Sequence, residues 1–114
     1  MKQNRQNLYE GMYVISATLS DDARHKALDK ILAGIKNRGG EIKKIHEQGR
    51  KRLAYEIDGH REGYYYVVYF TAPTAAISEL WAEYHLNEDL VRFITLHTEK
   101  VMEKIEFKTL VEQQ

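Results

Sequence analysis

Cysteine is absent from the 114 residues. That removes disulfide scaffolds, cysteine-ligated zinc, iron–sulfur clusters and thiol nucleophiles together, and it fits a reducing, cytosolic setting. Long apolar runs are absent too: none approaches the roughly 20 residues a membrane helix needs, so no membrane span or membrane partner is expected. The amino end, Met1 to Asn7, is polar with no hydrophobic stretch behind it, so no secretory leader is expected either. Net charge is zero, with 17 basic residues balancing 17 acidic ones, and the whole-molecule field gives no reason to expect nucleic acid as a partner. What is present is ordinary for a globular chain. Apolar residues make up 43% and charged residues 30%, enough to fill one core and cover it. The length suits one domain with tails.

The charges are unevenly placed. Between Lys36 and Arg52 seven basic residues stand against Glu41 and Glu47, while after Ala72 four basic residues stand against eight acidic ones. A charge run of this kind is usually a solvated face, and composition alone leaves that reading open.

Leu8 to Leu19 reads as a strand that is apolar on both faces, as a central strand should be. Ser20 is a good helix N-cap, Asp21 and Asp22 suit the positive end of the helix dipole, and Ala27, Leu28, Ile31, Leu32 and Ile35 recur at helical spacing. Gly39-Gly40 is expected to close this helix in the left-handed conformation. Glu41 to Ile57 reads as one long, bent strand with a bulge at Gly49. Asp58 to Gly63 is a hairpin connection, and Gly63 to Ala72, rich in tyrosine and valine, is a second central strand ended by Pro73, the one proline. A second helix is expected from about Pro73 or Thr74 to Asn87, with Ile77, Leu80, Trp81 and Tyr84 on its apolar face. Leu90 to Leu96 forms a last strand.

This order, strand, helix, strand, strand, helix, strand, predicts an α+β ferredoxin-like sandwich. Its four-stranded antiparallel sheet carries two helices on one face, with the first and third strands in the middle. The domain is expected over residues 8–98, between an N-terminal extension at 1–7 and a tail at 99–114. The tail lacks a clear period and is expected to order only against a partner.

Nothing in the chain predicts catalysis. The five histidines are scattered one per element without metal-site spacing, no carboxylate pair is marked as buried, and the glycines form neither a dinucleotide fingerprint nor a phosphate loop. No enzyme, cofactor, metal or small-molecule substrate is therefore expected. Two signals remain. Arg61 to Tyr69 partly matches the aromatic strand of RNA-recognition-motif domains, which opens the reading of an autonomous single-stranded RNA binder stacking bases on Tyr64, Tyr66 or Tyr69. The alternative is that these tyrosines simply pack in the sheet. Gly49 to Ile57 places a basic triplet at a sheet edge, suited to phosphates and to a partner segment, although positive charges on an edge also keep it from pairing with other chains.

Several motifs in register resemble the bacterial small-subunit ribosomal protein six family. They are Tyr9-Glu10, Met12-Tyr13-Val14-Ile15, Gly39-Gly40-Glu41-Ile42, Gly49-Arg50-Lys51-Arg52-Leu53-Ala54-Tyr55 with Ile57, Gly63-Tyr64-Tyr65, and Asn87 to Phe93. Gln48, Glu56 and Asp58 depart from the family's usual residues. The resemblance implies a non-catalytic protein of the small ribosomal subunit. It also implies binding to the central domain of small-subunit rRNA, as a heterodimer with small-subunit ribosomal protein eighteen. On that basis Arg50, Lys51, Arg52 and Arg92 are expected to make phosphate or polar partner contacts, with Tyr9 as a further RNA-binding candidate. Leu53, Ala54 and Tyr55 are expected in the partner surface, with alternation leaving open whether Leu53 and Tyr55 face the core.

Overall fold

A computed structural model describes residues 6–57 and 59–103. Its elements are β1 (Gln6–Ser16), α1 (Asp21–Asn37), β2 (Glu41–Ile57), β3 (His60–Pro73), α2 (Ala76–His85) and β4 (Leu90–His97). All three strand pairings are antiparallel and the sheet order is β2-β3-β1-β4, so the two strands that are apolar on both faces are the central ones. This is the ferredoxin-like sandwich that the element order predicts.

Alternation along the central strands divides the apolar residues between two faces. Tyr13 and Ile15 of β1, with Tyr66, Val68 and Phe70 of β3, meet Leu28, Ile31 and Ile35 of α1 and Leu80 and Tyr84 of α2. Burying one such side chain stabilises the fold by about 1.5–3 kcal/mol. The Tyr13 and Tyr84 hydroxyls, buried among these groups, satisfy each other at 2.9 Å. On β4 a register shift opposite Val14/Ile15 turns both Leu90 and Phe93 toward the helices, which strict alternation forbids.

The element ends follow local chemistry. The Ser20 hydroxyl accepts from the Ala23 N–H at 3.1 Å and caps α1. At the far end only Gly39 is left-handed, with φ +86°. Gly40 is needed for a different reason: a Cβ there would lie 2.6 Å from the Thr71 carbonyl oxygen and 2.6 Å from Ile35 Cγ2. α2 starts later than periodicity suggests, because Pro73 remains in β3 opposite Gln6 and Ala75 offers no side-chain cap. β1 likewise includes Gln6 and Asn7 and stops at Ser16, short of Leu19. The β2–β3 turn is tighter than the expected hexapeptide, with Ile57 opposite His60 and Gly59 at φ +83°; Asp58 lies outside the described residues.

The helix-free face carries its own apolar cluster of Val14, Leu53, Tyr65, Val67 and Tyr69, and Val101 packs against it. The first residues of the expected tail lie against this face. Thr98 N–H bonds the Leu8 carbonyl at 2.9 Å, the Met102 carbonyl lies 2.8 Å from His46 Nε2, and Glu103 pairs with Lys44 at 3.1 Å. The rest of the tail, 104–114, lies outside the described residues.

Candidate nucleic-acid and partner interface

β2 is an edge strand, so half of its backbone groups face away from β3. At Gly49 the chain adopts φ +84° and slips register by one residue, which re-aims everything that follows. Beyond the bulge Arg50 stands opposite Tyr64, Lys51 opposite Gly63 and Arg52 opposite Glu62. Arg50 and Arg52 thus share one face of the ribbon and are exposed, while Leu53, on the other face, is buried. The exposed Arg50 guanidinium donates to Glu62, whose hydrogen bond and charge hold it above its ordinary pKa. Arg52 has no ion pair among the described residues. Lys51 is half-buried.

The expected site residues separate into groups. Arg50, Lys51, Arg52 and Ala54 come together on the end of β2, beside Tyr55, which is 64% exposed. Leu53 belongs to the core of the helix-free face. Tyr9, the further RNA-binding candidate, does not join them. It is 7% exposed and its ring stacks on Phe70 at 5.6 Å, because odd-numbered β1 positions face the helices. Arg92 lies on β4, the opposite edge of the sheet, yet its Nη1 reaches the Tyr55 hydroxyl at 3.4 Å. The register between β2 and β3 breaks after Arg52, and the apolar Leu53 and Ile57 pack on the helix-free face, bringing Tyr55 toward Arg92. Sequence reasoning missed Lys44 and His46, which hold residues 102 and 103. Their only signal was that both lie on the parity of β2 that faces Tyr69 and Val67.

The β3 tyrosines of the platform reading are largely covered. Tyr64 is half-buried under Arg24, whose guanidinium carbon is 4.1 Å from the ring centroid. Tyr66 is buried and accepts from Arg24 Nε at 2.9 Å. Tyr69 is fully buried and donates to Glu10 Oε2 at 2.6 Å. Tyr66 and Tyr69 offer no open face to a base, and Arg24 covers one face of Tyr64. Burial, reinforced by the hydrogen bond to Glu10 and its charge, pushes the Tyr69 phenol up to about 12. The unfolded chain releases this proton near pH 10 while the fold keeps it, so Tyr69 stabilises fully below about pH 10 and loses that contribution as pH rises through about 12. Melting temperature should therefore fall across this interval, and less steeply in Tyr69→Phe; superimposable alkaline profiles for the two proteins would refute the assignment.

Among the described residues no group of three or more histidines and carboxylates is placed to hold a metal, and no helix is long and apolar enough to cross a membrane. The described residues form a four-stranded ferredoxin-like sandwich with a cationic stretch at the end of one edge strand. Comparison with known proteins then makes the class specific. The family described as Ribosomal protein S6 matches residues 8–97. Small ribosomal subunit protein bS6 of Protochlamydia amoebophila is 82% identical over the full length of both chains. The bS6 protein of Chlamydia muridarum is 63% identical over 98% of this chain and all of its own. The crystal structure of 30S ribosomal protein S6 from Thermotoga maritima superimposes with a TM-score of 0.78 at 27% identity, covering 82% of this chain and 89% of that one. The chain belongs to the ribosomal protein S6 family. It is a protein of the small ribosomal subunit and not an enzyme.

Proposed function

We propose that the protein binds the central domain of small-subunit rRNA in the cytoplasmic ribosome as a heterodimer with small-subunit ribosomal protein eighteen. The carrying observation is the end of β2, where Arg50, Lys51 and Arg52 follow one another on an uncovered edge of a chain whose net charge is zero. Local cations of this kind take phosphates, while a neutral whole is weak in the long-range attraction on which a lone RNA binder relies. A basic partner sharing the RNA site supplies the missing charge. In this reading Arg50, Lys51 and Arg52 face phosphate, and Tyr55, Ala54 and Arg92 face the partner or the RNA beside it.

The test is binding of the purified chain to a central-domain rRNA fragment, with and without protein eighteen, over a salt series. Tight binding is expected only with both proteins, and the chain alone should bind weakly with a steep loss as salt rises. Tight, salt-resistant binding by the chain alone would overturn the shared-site reading.

A further inference from the structure

The helix-free face of the sheet is not uniformly covered. Val101 packs against its apolar cluster, the Met102 carbonyl lies against His46, and the end of β2 folds onto it through Leu53 and Ile57. A cavity of about 100 Å³ stays open on this face, walled by Met12, Val14, Leu53 and Ile57 and closed toward β4 by Tyr55 and Arg92. Its interior is apolar, so water gains little there. Toward β4 its polar groups include the Tyr55 hydroxyl and the Arg92 guanidinium, 3.4 Å apart and both on exposed residues, and the buried Tyr65 lines it as well. No carboxylate lies within 4.0 Å of Arg92 among the described residues. An apolar hole beside an unneutralised cation is complementary to a particular kind of group: an aliphatic side chain with a negative charge next to it.

We infer that this cavity seats one branched aliphatic side chain of the partner protein, and that Arg92 binds a carboxylate neighbouring it on the same segment. The volume decides the side chain, since an apolar cavity of about 150 Å³ holds a benzene-sized group and this one is smaller. The lining decides the macromolecule. A nucleobase brings polar edges that the methionine, valine, leucine and isoleucine walls leave unpaired, whereas an apolar side chain loses nothing there. The planar fork of Arg92 suits a carboxylate held by two parallel hydrogen bonds.

The inference rests on the heterodimer reading, and one set of titrations separates the two. Protein eighteen is titrated calorimetrically, without RNA, into the full chain and into Ala54→Phe, which fills the mouth of the cavity from an exposed position, and Arg92→Gln, which removes the cation. The exposed Lys30→Ala on α1 serves as a control. Each of the first two variants is expected to weaken the heterodimer at least tenfold with its melting temperature retained, and Arg92→Gln should also flatten the salt dependence of that affinity. Unchanged heterodimer affinity in both variants overturns the inference and leaves the heterodimer standing. So does an Arg92→Gln protein that forms the heterodimer normally but loses RNA affinity, because Arg92 then serves phosphate. No binding of protein eighteen by the unaltered chain overturns the heterodimer itself.

Discussion

Replacing Arg50, Lys51 and Arg52 together by alanine is expected to lower the affinity of the heterodimer for central-domain rRNA by about a hundredfold or more at constant salt. A hydrogen bond to a charged group contributes about 1.5–3 kcal/mol, so three lost phosphate contacts, even with poor additivity, exceed two decades. The salt dependence is the sharper readout. Each phosphate neutralised releases counterions, and the slope of log affinity against log salt should become shallower by about one per cation removed. Stability should hardly move. Arg50 and Arg52 are exposed, the Arg50–Glu62 pair lies at the surface where such a pair contributes about 0–1 kcal/mol, and Lys51 is only half-buried. Filter binding over a salt series, beside thermal melting, checks both parts. A large fall in melting temperature with unchanged slope would mean that the triplet holds the hairpin together and does not touch RNA.

Gly40→Ala carries the largest expected effect on the fold itself. The added methyl would sit 2.6 Å from the Thr71 carbonyl oxygen and 2.9 Å from the Ile35 carbonyl oxygen. These are backbone atoms of β3 and of the end of α1, so no rotamer change relieves the clash. Gly40 N–H also bonds the Ile35 carbonyl at 2.9 Å, and moving the residue away breaks the helix closure. Overpacking of this kind costs about 1–3 kcal/mol and occasionally more. With both neighbours fixed the upper figure applies, which lowers the melting temperature by roughly 12–24 °C for a domain of this size. Gly39→Ala should cost less, since a Cβ there meets only Pro73 at 3.7 Å and the penalty is the positive φ alone. Equal melting temperatures for the two variants would contradict this separation of roles.

The pair illustrates how much the chain discloses on reading. That two glycines end a helix is visible from composition, but one serves the backbone angle and the other a close approach, and the approach involves Thr71, thirty-one residues away. The sandwich was legible because β1 and β3 are apolar on both parities and the helical faces keep their period, all local signals. The placement of the edge strands followed from handedness. The cationic triplet was legible as a patch, since three consecutive cations need no tertiary information. What was hidden depends on contacts between distant segments. Tyr9 looks like a surface aromatic until the register of β1 against β3 sets Tyr9 opposite Phe70. Arg92 and Tyr55 sit on strands at opposite edges and meet only because β2 leaves its register after Arg52. Residues 98–103 carry no period because they are held at single points, by Lys44, His46 and the apolar cluster around Tyr69.

The sheet order also sets a timetable for synthesis. β1, the first strand to be made, has β3 on one side and β4 on the other, and its last partner residues are His97 to Leu90. About 80 residues must be added after Ser16 before that second edge can be closed. At ordinary elongation rates of about 5–20 residues per second, β1 waits roughly 4–16 s with apolar side chains on both faces. α1 and the β2–β3 hairpin can form meanwhile, since their contacts are local, but the sheet has no centre until β3 reaches back to β1. A chain interrupted before β4 is therefore a three-stranded intermediate with the apolar β1 exposed as a second edge beside the charged β2, and such a species invites pairing with its neighbours. The strand that anchors the finished protein is, for most of its synthesis, the part most open to the wrong partner.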